Sequence, residues 1–313
     1  MLGKTAGSLF WMMRYMERCE NTARLTEAGF YIALTRSQSA EDEWKSIINV
    51  AGVTGNYETL HDDYDGASVI NYLLRERENP ASVRSMIDLA RSNARTARTA
   101  LTREVWEAVN EAWQNICKAL EAPVSPIVLQ DILGLIKRQA ALVQGAFQGT
   151  MLRNDIFNFA RLGMFIERSN NTARILDVKY HVLLPSVSLV GGSLDNVQWE
   201  TILRAVSANR SFRWLYKGES SPKTIADFLI LDLSMPRSLA FCQNEIVHNL
   251  SYLSNASGTE AASAALASDL LKNLKAHTID TVIHQGLHEF ITDFLVKNQA
   301  LAAQIESDYR FYA

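Results

Sequence analysis

Cysteine is nearly absent: Cys19, Cys117 and Cys242 are the three in a chain of 313 residues. Odd in number and far apart, they match neither a disulfide framework nor a zinc-finger spacing, so reduced thiols in the cytoplasm are expected. There is no glycine-rich phosphate loop, no nucleophile elbow and no His-Glu-x-x-His. The usual markers of nucleotide, acyl-transfer and zinc-peptidase chemistry are therefore missing, catalytic residues stay unassigned and no cofactor is expected. No stretch approaches the roughly 18 apolar residues of a membrane span. The N-terminus meets Arg14, Glu17 and Arg18 before a continuous apolar segment has formed, so no signal peptide is expected. Neither sign of charge dominates: 31 Lys and Arg face 34 Asp and Glu, for a net charge of −3. That balance argues against nucleic acid or an anionic membrane as partner.

Proline is scarce too. The six can all be placed at element edges, with Pro80 and Pro236 opening matching segments in which a proline suits the first turn of a helix and Asn79 serves as an N-cap. Between these breaks apolar residues recur at three and four. Val83, Met86, Ile87, Ala90, Ala94, Ala97 and Leu101 make one such stripe, and 127–147 and 279–295 repeat the pattern. Alternating runs closed by hairpin turns are absent. The chain reads as all-α, a helical bundle of about a dozen helices, several above twenty residues.

What the sequence does contain is an echo. Glu17-Arg18-Cys19-Glu20-Asn21-Thr22-Ala23-Arg24 returns 150 residues later as Glu167-Arg168-Ser169-Asn170-Asn171-Thr172-Ala173-Arg174, with six of eight positions identical. Trp44-Lys45-Ser46-Ile47-Ile48 returns as Trp199-Glu200-Thr201-Ile202-Leu203. Pro80-Ala81-Ser82-Val83 returns as Pro236-Arg237-Ser238-Leu239. Kept order with small changes of offset points to two tandem pseudo-repeated halves, 1–145 and 146–313, packed as one globular unit.

At 100° per residue Arg14, Glu17, Asn21 and Arg24 share one helix face, flanked by Arg18; Glu167, Asn171 and Arg174 repeat it beside Arg168. Met164 stands where the first copy has Arg14. Such groups are costly to bury unpaired. One reading is structural: an approximate twofold would let Glu17 meet Arg174 and Glu167 meet Arg24. The other makes these residues a binding site for a peptide or a ligand carboxylate, which the planar guanidinium fork suits.

Around this segment the chain resembles a known family. Met1-Leu2-Gly3-Lys4-Thr5-Ala6, Leu9-Phe10-Trp11, Arg14-Tyr15-Met16-Glu17-Arg18 and Ala23-Arg24 are similar to the start of the bacterial alpha-E family. Asn79-Pro80-Ala81-Ser82-Val83, 90–95, 104–110 and Leu162-Gly163-Met164-Phe165-Ile166-Glu167-Arg168 resemble later blocks of it, although Arg is common in the family where Met164 stands. The resemblance spans nearly the whole chain. It implies an all-helical protein, without an established activity, often encoded beside an ATP-grasp ligase and a transglutaminase-like peptidase. An accessory protein of a peptide- or amide-forming system follows as the expectation, with such a ligase or peptidase as partner. The alternatives are an enzyme of amide chemistry using the Glu-Arg segments and a small-molecule or metal-binding helical module. A homo-oligomer stays open.

Two further groups stand out. Arg84, Arg91, Arg95 and Arg98 are spaced for one helix face, with Asp88 as the acidic residue between them, a candidate stripe for an anion or a partner. His284 and His288, four apart, are weak candidates for a shared metal, and ordinary hydrogen bonding is the more common use of such histidines.

Overall fold

A computed structural model describes residues 3–35, 40–183, 193–217, 221–258 and 261–312; among them there are fifteen α-helices and no strand. The first seven are α1 (Gly3–Thr35), α2 (Ala40–Ala51), α3 (Thr54–Tyr57), α4 (Gly66–Leu74), α5 (Val83–Thr96), α6 (Arg103–Ala119) and α7 (Pro126–Thr150). The rest are α8 (Asp155–Leu183), α9 (Ser193–Ala205), α10 (Asn209–Leu215), α11 (Pro222–Ile230), α12 (Leu239–Ser257), α13 (Ala262–Ala276), α14 (Ile279–Gln285) and α15 (Leu287–Asp308). The all-α reading is what the chain adopts.

The echoed segments lie in the two longest helices, α1 with 33 residues and α8 with 29. Most of their described side chains are buried, because other helices enclose them. Leu9, Phe10, Met12, Met13 and Met16 are buried on α1, and Phe159, Ala160, Leu162, Phe165 and Ile166 on α8. The two pack directly on each other. At Gly163 the approach is close: an added Cβ would fall 2.0 Å from the Phe10 carbonyl oxygen, so only glycine fits there. Phe10 meets Gly163 and Glu17 meets Arg168, so the helices run side by side in the same direction.

The neighbours of α1 and α8 follow a common pattern. α1 packs on α2, α5 and α7, and α8 on α9, α12 and α15; α2 also reaches α8, and α9 reaches α1. The ends of α2 and α9 agree bond for bond. Gly52 (φ 73°) and Ser207 (φ 56°) are both left-handed. Gly52 N–H donates to Asn49 O and Val53 N–H to Ile48 O, while Ser207 N–H donates to Arg204 O and Ala208 N–H to Leu203 O. Tyr57 stacks on His61 as Phe212 stacks on Tyr216. Buried side chains from both stretches join in one continuous core.

Helix starts differ from the sequence reading in one respect. Asn79 is not an N-cap: its amide donates to Tyr72 O, its side-chain oxygen accepts from Ala81 N–H, and the cap of α5 is Ser82. Ser238 caps α12 in the same way. Pro80 and Pro236 therefore stand in the preceding turns, whereas Pro126 and Pro222 occupy first-turn positions. A hydroxyl two residues after the proline satisfies a first-turn N–H more directly than Asn79 can from outside the helix.

Candidate functional site

Where α1 and α8 touch, the two Glu-Arg pairs cross over. Arg168 donates from Nε to Glu17 Oε1 at 3.0 Å and from Nη2 to Oε2 at 2.9 Å. Arg18 donates from Nε to Glu167 Oε1 and from Nη2 to Oε2, both at 2.7 Å. Each carboxylate thus receives a bidentate, charge-assisted fork from the other helix, which neutralises it strongly. Burial by itself raises both carboxyls. Arg168 and Arg237 outweigh it at Glu17, holding that group well below the ordinary 4.5, and Arg18 with Arg14 holds Glu167 at about 2.

The expected cross-pairing between helices is present, but through different arginines. Glu17 meets Arg168 rather than Arg174, and Glu167 meets Arg18 rather than Arg24. Arg24 and Arg174, one or two turns further on, reach past the partner helix instead. Arg24 Nη1 donates to Ala205 O at 3.2 Å and to Ser207 Oγ at 2.6 Å. Arg174 Nη1 donates to Val50 O at 2.8 Å and packs against Gly52. Ala205 O and Val50 O are closing carbonyls of α9 and α2, where a cation is favourable.

Beyond the shared crossover the two sides diverge. On the Glu17 side the network is closed. Arg237 donates to Glu17 Oε1 at 2.9 Å and to Glu20 Oε1 at 2.6 Å, while Arg24 clamps Glu20 Oε1 at 2.9 and 2.6 Å. Gln144 bridges the other oxygens of Glu17 and Glu20. Arg237 also approaches Asn21 Oδ1, and its backbone carbonyl accepts from Thr172 Oγ1, fixing the turn from which it reaches. Glu17, Glu20, Arg24, Arg168 and Arg237 are all buried.

On the Glu167 side the network is open. Asn170 replaces Glu20 and Ala81 replaces Arg237, so one carboxylate and one large cation are gone. Arg14 compensates in part, donating to Glu167 Oε2 at 3.0 Å. What remains is a cavity of about 330 Å³, lined by Arg14, Arg18, Arg174, Glu167 and Asn171 among others. Three guanidinium groups face one carboxylate there. Arg174 is exposed and, among the described residues, makes no ion pair. Asn171 is 7% exposed, yet its amide nitrogen has no hydrogen-bond partner.

The sequence singled out Arg14, Glu17, Arg18, Asn21, Arg24, Glu167, Arg168, Asn171 and Arg174, and all nine lie at this crossover or its edges. It missed Glu20, Gln144, Asn170 and Arg237. The available signal was the mismatches inside the echo, Glu20 against Asn170 and Arg237 against Ala81.

The other candidates stand apart. Arg84 and Asp88 are 3.8 Å apart, Arg91 donates to Asn110 and lies over Trp113, and Arg98, in a 3-10 turn beyond α5, lies over Trp106. Arg95 is exposed. His284 and His288 do not share a helix: Gly286, at φ 101°, ends α14 between them, and His288 bonds Asp177. The single helix face that suggested a shared metal is therefore not formed. No cluster of three or more His, Cys, Asp or Glu suited to a metal occurs among the described residues. Burial raises the Cys19 thiol well above its ordinary value despite Arg18, and pushes Cys242 up to about 12, so neither is an activated nucleophile. No described helix is long and apolar enough to cross a membrane.

No curated protein and no solved structure matches the chain. A family profile does: Alpha-E, described as a predicted alpha-helical domain with a conserved ER motif, matches residues 1–309. Glu17-Arg18 and Glu167-Arg168 are Glu-Arg pairs of that kind, and here they are the groups that join α1 to α8. The chain belongs to the Alpha-E family.

Proposed function

We propose that this protein is a non-catalytic accessory component of a cytoplasmic peptide- or amide-forming system, and that its working site is the open arginine cavity. The observation that carries this reading is the surplus of cations beside Glu167: Arg14, Arg18 and Arg174 face a single carboxylate. Held at a cavity mouth, such a surplus attracts an anionic group of a product or a partner. At about 330 Å³ the cavity stands at the small end of ligand-binding sites. The buried, high-pKa thiols of Cys19 and Cys242 favour binding over nucleophilic catalysis. The partner in this reading is an ATP-grasp-type ligase or a transglutaminase-like peptidase, in keeping with the family resemblance. Two tandem halves are part of the same reading, supported by the matched neighbours of α1 and α8.

The test mixes the purified chain with a candidate ATP-grasp ligase. Co-elution and a changed rate of amide formation are expected, both reduced in Arg174→Gln, while the chain alone with ATP and amino acids turns nothing over. Turnover by the isolated chain would replace the accessory reading with an enzymatic one.

A further inference from the structure

The closed side of the crossover serves as a template for what the open side lacks. Glu20 and Arg24 are four residues apart on α1, and the carboxylate receives both Nε and Nη2 of the guanidinium. Asn170 and Arg174 hold the same spacing on α8, and Arg174 makes to Val50 O the bond that Arg24 makes to Ala205 O. The two arginines are thus anchored alike. Only one has its carboxylate.

The second missing group leads to the same place. Arg237 projects from the turn before α12 toward Glu17, Glu20 and Asn21. Ala81, in the turn before α5, leaves the corresponding space beside Glu167, Asn170 and Asn171 unfilled, and all four residues line the cavity. The wall of the cavity also carries apolar side chains, Leu25, Val53, Leu73 and Ile175. Asn21 accepts from Arg237 on the closed side, whereas buried Asn171 has an amide nitrogen without a partner.

We propose that the cavity binds a free carboxylate carried on a small apolar body, an amino acid or the C-terminal residue of a short peptide. The carboxylate takes the place of Glu20, forked by Arg174 and receiving the Asn171 amide, and the body fills the space left by Ala81. This rests on the cavity being the working site but requires no partner protein. A missing ligase interaction would sink the accessory role and leave this inference intact.

Calorimetric titration of the full chain with N-acetyl-leucine, N-acetyl-leucinamide and inorganic phosphate tests it. N-acetyl-leucine should bind, more weakly at high salt. The amide should bind about tenfold more weakly or worse, because the charge-assisted fork is lost. Asn170→Glu should place an internal carboxylate on Arg174 through the same four-residue spacing, giving up the bond that Asn170 Oδ1 accepts from Asn298, and reduce N-acetyl-leucine binding by about tenfold or more. Adding Ala81→Arg to it should fill the cavity and abolish binding. Should Asn170→Glu fail to fold, Arg174→Gln takes its place, with loss of binding at near-normal melting expected. Equal binding of acid and amide, no binding of the acid, or undiminished binding in Asn170→Glu would each overturn the proposal. Tighter binding of phosphate than of N-acetyl-leucine would overturn it in favour of a phosphate-bearing ligand.

Discussion

The Glu17 side and the Glu167 side of the α1–α8 contact start from nearly the same eight residues and end as different objects. Both carboxylates are buried and forked by an arginine from the opposite helix. On one side Glu20, Arg237 and Gln144 complete the ion network, and Glu17 is fully buried. On the other, two differences, Asn170 and Ala81, leave a cavity of about 330 Å³ and an arginine that makes no ion pair among the described residues. A buried ion network becomes a site when one of its members is removed and the rest are kept, because the remaining charges are already held in place by their neighbours.

The comparison predicts unequal costs. Glu17→Gln leaves Arg168 and Arg237 buried against a neutral amide, and should destabilise by about 3–5 kcal/mol in urea denaturation. Glu167→Gln should cost less, about 1–3 kcal/mol, because Arg18 and Arg14 then still reach the cavity. Equal losses would mean that the open side is as dry as the closed one.

Acid should act next most strongly. Both carboxyls titrate below their ordinary 4.5 in the fold, Glu167 at about 2. A depressed pKa gives stability that is fully present above about 4.5 and is lost as pH falls toward 2. Melting temperature followed through that window should drop, and Glu167→Gln should drop less steeply because one titrating group is gone. A flat profile down to pH 2 would show that the forks do not stabilise the fold.

A double-mutant cycle sharpens the pairing itself. Glu17→Gln with Arg168→Gln should be non-additive by about 0.5–3 kcal/mol, whereas Glu17→Gln with Arg174→Gln should add to within about 0.5 kcal/mol. Reversal of that order would restore the pairing that helix-face geometry alone suggested. The smallest effect belongs to the open side: Arg174→Gln should change stability by no more than about 1 kcal/mol, as for an exposed charge, while removing anion binding. A large loss of stability instead would make Arg174 a structural anchor of α2.

Much of this fold was legible because helices and their seams are local properties. The three-and-four spacing of Val83, Met86, Ile87, Ala90 and Ala94 dictates a helix with one buried face, and all five are buried. The echo likewise singled out the Glu-Arg segments, since charges on an otherwise apolar helix must be matched by something. Other features depended on chain segments meeting. Periodicity says which face Glu17 occupies but not how far α8 slides along α1, and that slide decides between Arg168 and Arg174 as its partner. Gly286 changed two histidines four apart into residues of separate helices. Arg237 lies 220 residues from Glu17, and no local rule connects them. The sequence by itself determined an all-helical chain with a repeated charged seam, because helix period and side-chain chemistry act within a few residues. Tertiary structure alone decided which side of that seam is saturated and which is open, because a side chain's reach is settled only when turns distant in the chain are brought beside it.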